Sequence, residues 1–180
     1  MKQYDRAREV LEQSLSVTPV HPEIYGLLFT LMLRSGDSSG VMTYEGFYLE
    51  RTRELGYRLD SAYALLAAVC AAEGFDEHAA GYYRAAISLE PAVAWYHDSL
   101  GNILFRRGDL PNAQGEYLRA HMIDSMSPNA HRMLGRILES QGMRADAIHY
   151  YREYLRLDSA GKEAIEVRKS VVRLNQNGSQ

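Results

Sequence analysis

Residues 99–113 read SLGNILFRRGDLPNA, and residues 133–147 read MLGRILESQGMRADA. In each, a glycine follows a leucine (Gly101, Gly135) inside a stretch whose apolar residues recur at helical spacing, as Leu100, Ile103 and Leu104 do. Glycine in a helix interior costs about 1 kcal/mol relative to alanine. Its return at the same place therefore needs a physical reason.

The reason is a period. Gly74, Gly108 and Gly142 are spaced by 34 (108 − 74 and 142 − 108), and the same interval links Leu66, Leu100 and Leu134. It also links Ala67, Gly101 and Gly135; then Ala79, Ala113 and Ala147; then Tyr83, Tyr117 and Tyr151. Chance does not align five columns of matching chemistry. Each unit reads as two helices with a turn at Gly74, Gly108 or Gly142, and proline or aspartate marks the unit boundary, as at Pro91 and Asp158.

These columns resemble the tetratricopeptide-repeat family, whose pattern is an aromatic, Leu-Gly, an aromatic, Ala, a further aromatic and a closing Pro. One copy reads Tyr63, Leu66-Ala67, Cys70, Ala79, Tyr83 and Pro91. The next reads His97, Leu100-Gly101, Leu104, Ala113 and Tyr117, and the third His131, Leu134-Gly135, Leu138, Ala147 and Tyr151. In that family the small residue sits where the two helices of a repeat cross. Packing gained at the crossing offsets the local propensity cost.

The resemblance implies an all-α fold, a right-handed superhelical solenoid of antiparallel helix pairs with a C-terminal capping helix. Residues 1–180 are expected to form a single domain. Residues 1–21 supply the second helix of a truncated repeat, with Ala7, Leu11 and Pro19 in register. Residues 22–59 form a degenerate repeat, with Tyr25 and Leu28 in place but Phe29 at the small position and Glu45 at the alanine position. That unit runs 38 residues (60 − 22), so about four extra residues are expected in RSGDSSGVM, and a standard helix crossing is not. Residues 60–93, 94–127 and 128–161 are repeats, 162–175 a capping helix with the stripe Val167, Val171 and Leu174, and 176–180 a tail. An opening in mid-repeat leaves two readings: a piece of a longer protein, which is favoured, or a first helix whose apolar face takes another chain.

Composition is that of an ordinary globular chain: 46% hydrophobic, 24% charged, net charge −3. Such a charge argues neither for a nucleic-acid partner nor for a solvating acidic tail, and no nucleic-acid partner is expected. The most apolar run, YGLLFTLML at 25–33, is far too short to cross a membrane, and the charged start MKQYDRAREVLEQSL is no signal peptide. A cytoplasmic location is expected, and Asn177-Gly178-Ser179 is a chance match to a glycosylation acceptor. The single cysteine, Cys70, falls in a packing column and is expected to be an inert buried thiol.

No chemistry-bearing motif stands out. SAGKEA at 159–164 lacks the upstream glycine and the Ser/Thr of a phosphate loop, and no His-Glu-x-x-His or paired-cysteine spacing occurs. No enzyme activity, cofactor or metal is expected. His97 and His131 share a packing column and read as structural.

The resemblance places the free positions of each first helix on a concave groove. In the 60–93 unit they are Ser61, Ala64, Ala68, Ala71 and Ala72, a bare floor; in the next, Trp95, Asp98, Asn102, Phe105 and Arg106; in the last, Asn129, Arg132, Arg136, Glu139 and Ser140. The expected partner-binding residues are Trp95, Asp98, Asn102, Phe105, Arg106, Arg132 and Arg136. Aromatic and arginine side chains suit a protein or peptide partner with acidic and apolar groups. The alternative reading is structural: Asp98 and Arg132 pair across repeats, and Arg136 is simply solvated. One subgroup of the family grips acidic chaperone tails with Lys and Asn a turn apart. The corresponding positions here hold Gly26 and Thr30, Ala64 and Ala68, or Asp98 and Asn102, so that clamp is not matched.

The expected function is a non-enzymatic interaction scaffold. Its rivals are a regulatory or substrate-docking region of a larger enzyme, such as a glycosyltransferase, and a structural adaptor. The apolar stripe Ala7, Val10, Leu11 and Leu15 adds an expectation of self-association through the N-terminal end.

Overall fold

The computed structural model describes the backbone of residues 2–17 and 22–176; Pro19 and the 177–179 acceptor match lie outside them. The described residues contain helices and no strand. In chain order these are α1 (Lys2–Val17), α2 (Pro22–Ser35), α3 (Ser38–Glu54), α4 (Leu59–Ala72), α5 (Asp76–Leu89), α6 (Ala94–Arg106), α7 (Leu110–Ile123), α8 (Pro128–Ser140), α9 (Arg144–Leu157) and α10 (Ala164–Gln176). They form two compact units, Met1–Glu90 and Pro91–Gln180. No described helix is long and apolar enough to cross a membrane.

The turn between the helices of a pair is built four times in the same way. Gly36, Gly74, Gly108 and Gly142 adopt φ of +76°, +82°, +80° and +75°, the left-handed region that a side chain disfavours. The residue after each glycine donates its N–H to a carbonyl five residues back: Asp37 to Met32, Phe75 to Cys70, Asp109 to Leu104 and Met143 to Leu138, at 2.8–3.0 Å. Some helices start on side-chain caps, as α3 does on Asp37, whereas α5 and α9 have none. The Asp109 carboxylate accepts from the Asn112 N–H and the Ser127 hydroxyl from the Ala130 N–H, with Pro111 and Pro128 in the first turns, where a missing N–H costs nothing.

Within the Pro91–Gln180 unit, α6 packs on α7, α7 on α8, α8 on α9 and α9 on α10. Tyr117 and Tyr151 are buried against Gly101 and Gly135, and each large ring removed from water contributes about 1.5–3 kcal/mol. His97 and His131 are buried among these columns. His97 Nδ1 lies 2.7 Å from Glu116 Oε2 and its Nε2 lies 3.0 Å from the Pro91 carbonyl. The last core layer joins Leu138, Ala147, Tyr151 and Tyr154 to Ala164 and Val167, with Val171 and Leu174 of α10 packed on it.

The Met1–Glu90 unit departs from the sequence reading in its α2–α3 pair. The extra residues are not in the turn, which is as tight as the others; three of them lengthen α3 to 17 residues against 14 in α5. Counting from the turn glycine, Val41 (41 − 36 = 5, as 113 − 108 = 5) holds the alanine column. Glu45 falls in the tyrosine column instead (45 − 36 = 117 − 108 = 9). Phe29, fully buried, meets the Tyr82 ring edge-on at 6.1 Å, and Tyr82 donates its hydroxyl to Glu45. The close approach has moved to Gly40 of α3, where a Cβ would come within 2.6 Å of Met32. The second helix thus supplies the space that the first no longer does.

Candidate binding face

α6 and α8, the first helices of successive pairs in the Pro91–Gln180 unit, meet through the residues that the packing columns leave free. Asp98 of α6 accepts from the Ser127 hydroxyl at 2.6 Å, at the start of α8. Asn102 Oδ1 accepts from the Tyr117 hydroxyl at 2.8 Å and from Asn129 Nδ2 at 3.4 Å, and Asn129 in turn accepts from Arg132 at 2.9 Å. The Arg136 guanidinium lies over the Phe105 ring, 4.9 Å from its centre.

The structure therefore brings Asp98, Asn102, Phe105, Arg132 and Arg136 to one seam. Trp95 stands in the first turn of α6, half exposed, its ring edge-on to Tyr96 at 4.3 Å. Arg106 is in the last turn of α6, and its charge acts on the Tyr117 hydroxyl together with those of Arg132 and Arg136. Burial and the nearby Asp98 charge nevertheless push the Tyr117 hydroxyl upward, so it stays a neutral donor to Asn102. The Asp98–Arg132 ion pair does not form; each takes a neutral partner instead. Burial raises the Asp98 carboxyl above the usual carboxylate range, opposed by its bonds to Ser127 and Asn129.

Arg132 and Arg136 also line a cavity of about 580 Å³, with Glu139, Ser140 and Tyr151 on one side and Lys162, Glu163, Glu166, Ser170 and Arg173 on the other. Glu139 is occupied: it accepts from the Tyr151 hydroxyl at 2.8 Å and from Arg173 at 2.5 Å. Glu166 is held by Lys169 at 2.7 Å. Among the described residues, Arg132, Arg136 and Lys162 have no carboxylate within ion-pair distance. The cavity therefore holds three cations with unspent charge against one such carboxylate, Glu163. The contribution from 162–173 was not foreseen, because that segment lies outside the 34-residue register. Its signal in the sequence is the basic spacing Lys162, Arg168, Lys169 and Arg173.

The alanine floor of the 60–93 unit is open only in part: Ser61, Ala68 and Ala72 are exposed, but Ala64 is fully buried and Ala71 half-buried. What opens there is an apolar trough of about 690 Å³ lined by Leu27, Thr30, Tyr57, Ser61, Leu65 and Val69, in which Leu27 and Leu65 are each 55% exposed. A second apolar trough of about 630 Å³ lies between α1 and α2, where Tyr4, Val10 and Leu11 meet Leu27 and Leu31.

Paired helices joined by glycine turns, crossing at glycine or alanine, define a helical-repeat protein. Residues 129–160 match the tetratricopeptide-repeat family model, and this segment is a tetratricopeptide repeat. No curated protein sequence matches the chain. Among solved structures, the chain is similar to the YrrB protein, a tetratricopeptide-repeat protein described as having an unusual peptide-binding site. The TM-score is 0.63 at 14% identity, covering 93% of this chain and 84% of that one. It is similar to the first such domain of Spaghetti (RPAP3) bound to the HSP90 peptide SRMEEVD, with TM-score 0.61 and 13% identity over 67% of this chain and 94% of that one. The tetratricopeptide-repeat domain of Arabidopsis OM64 gives 0.60 at 21% identity, over 66% and 95%. At these identities the likeness is one of fold, and the fold is that of tetratricopeptide-repeat proteins.

Proposed function

We propose that the protein is a non-catalytic interaction scaffold. Its α6–α8 seam, extended by the 162–173 segment, captures a peptide or partner helix bearing carboxylate and apolar side chains. One observation carries the reading. Arg132 and Arg136, a turn apart on α8, face a cavity without a carboxylate of their own, and Phe105 supplies an apolar surface beside them. Desolvated arginine and aromatic groups supply most of the energy in such sites, and a guanidinium fork matches a carboxylate. The similar folds that hold or are described as holding peptides support the same class of ligand. The chaperone-tail clamp stays outside the proposal, because its Lys and Asn positions are not matched.

A panel of synthetic peptides with alternating acidic and apolar residues, set against charge-neutral and basic versions, tests this by fluorescence anisotropy. Arg132→Ala/Arg136→Ala is the comparison variant. Preference for the acidic set that disappears in the variant supports the proposal; equal binding of wild type and variant overturns it.

A second reading rests on the α1–α2 trough. Val10 and Leu27 stay more than half exposed around it, and such a face suits a second copy of the chain. Sedimentation of wild type and Val10→Glu checks this, with a dimer lost in the variant as the expected result and a concentration-independent monomer as the refuting one.

A further inference from the structure

At the junction between the helix pairs α6–α7 and α8–α9, the packing-column His131 meets a histidine, His121, that belongs neither to the named packing columns nor to the binding face. His121, near the end of α7, meets His131 of α8 edge-on, with ring centres 4.8 Å apart and planes at 84°. Both rings abut Tyr150 of α9, at 6.1 and 6.0 Å, and His149 sits 5.5 Å from Tyr150.

The hydrogen bonding within the cluster is lopsided. His131 Nδ1 lies 2.8 Å from the Ser127 carbonyl, which can only accept, so that nitrogen carries the proton. His121 Nδ1 is buried and has no hydrogen-bond partner among the described residues. As a bare nitrogen it is tolerated. Protonated, it would present a buried N–H with no acceptor beside another imidazole, which costs the full desolvation of the new donor.

We propose that His121 is an acid-sensing latch: its protonation opens the α7–α8 junction while the helix pairs on either side stay folded. Charges around the cluster set the direction. His149 of α9 adds to the repulsion, as does His131 of α8. The carboxylates within electrostatic reach among the described residues are Glu153 of α9 and Asp98 of α6. Both are engaged, Glu153 by Arg156 at 2.9 Å and Asp98 by Ser127 at 2.6 Å, and both act on His131. Asp124, just after α7, acts on Asp98. Burial first, then His131 and His149, hold the His121 imidazole below its ordinary value. An imidazole held low in the closed junction and released in the open one takes up a proton on opening. Linkage then makes opening easier by up to about tenfold per pH unit below about 6.5, and adds nothing above it. The latch needs no ligand, so it stands or falls apart from the proposed binding face.

Amide hydrogen exchange of the full chain between pH 7.5 and 5.5, corrected for intrinsic rates, reads the opening directly. Protection at the end of α7 and the start of α8 is expected to fall by up to about tenfold per unit below pH 6.5, while α4 and α5 keep theirs and His121→Phe removes the pH dependence. Junction protection that does not change with pH, that falls equally in His121→Phe, or that falls in step with α4 and α5 overturns the proposal. Ring titration of wild type by NMR covers the case in which His121→Phe does not fold. A His121 ring that titrates in step with loss of junction protection supports the latch, and one that titrates while the junction amides stay still overturns it.

Discussion

A Cβ placed on Gly135 would lie 2.5 Å from Cδ1 of Tyr151, inside any real van der Waals contact. At Gly101 the same construction falls 2.8 Å from Tyr117 Cε1. Both rings are buried, and both hydroxyls are anchored, Tyr151 on Glu139 and Tyr117 on Asn102, each at 2.8 Å. Neither ring has room to give way. The glycines of the 34-residue period are thus seats for the tyrosines of the same period, sixteen residues on.

Gly135→Ala is therefore expected to destabilise by about 1–2 kcal/mol, since overpacking of about 1–3 kcal/mol exceeds the helix propensity gained. Gly135→Leu should cost several times as much. Gly115, in α7, has nothing within 4 Å of its would-be Cβ, and there Gly115→Ala should stabilise by up to about 1 kcal/mol. Thermal melts that fail to separate the two alanine variants in opposite directions refute the seat.

The period was legible because a close contact restricts residue type at both of its ends, and a repeat prints that restriction again at a fixed interval. Where the contact moved, as from the Phe29 position to Gly40, the print was lost and the register slipped. The polar run Ser38-Ser39-Gly40 looks like loop, yet it opens α3, because packing of Tyr44 and Tyr48 decides the helix. The face residues Asp98, Asn102, Phe105, Arg132 and Arg136 were found by exclusion from the packing columns. The partner Ser127 and the cavity wall at 162–173 were not, since no periodic rule reports how successive first helices touch.

Cys70 is fully buried, and its surroundings push the thiol up to about 12, burial first and the Glu45 charge second. The thiolate population near neutral pH is then about three orders of magnitude below that of an exposed cysteine, before access is considered. Disulfide-exchange reagents should leave the folded protein unlabelled over hours and label it promptly in denaturant. Prompt labelling without denaturant would show that α4 opens locally.

Asp98 predicts a pH dependence of the opposite sign to the usual carboxylate. Its folded carboxyl is raised above the unfolded value, chiefly by burial, so the stability it contributes is present below the unfolded value, near 3.9, and lost as pH rises through the folded one. Asp98→Asn keeps a side-chain oxygen for the Ser127 hydroxyl and removes the buried charge. The variant should melt higher than wild type at pH 7, with the gap narrowing toward pH 4. A variant that melts lower at pH 7 would show that the ionised carboxylate is held by more than Ser127 and Asn129.

The last prediction separates the cavity from general surface charge. Lys162 lines the cavity with Arg132 and Arg136, whereas Lys169 points its charge at Glu166 and does not line it. If a carboxylate-bearing peptide occupies the cavity, Lys162→Ala should weaken its binding by about two- to fivefold, the scale of one partly exposed ion pair. Lys169→Ala should leave binding unchanged. The Arg132→Ala/Arg136→Ala variant should lose about tenfold or more, because charge-assisted hydrogen bonds are worth about 1.5–3 kcal/mol. Its melt should shift little, since Arg132 gives up one part-buried bond to Asn129 and the exposed Arg136 its place over Phe105. Screening supplies the second axis. The Debye length falls from about 8 Å at 0.15 M salt to about 3 Å at 1 M, so wild-type affinity should drop across that range. In the double variant the salt dependence should be visibly flatter, because two of the charges that produce it are gone. Titrations of one acidic peptide against the four proteins at both salt concentrations check all of this. Equal losses for Lys162→Ala and Lys169→Ala would place the attraction in net charge, with no role for the cavity.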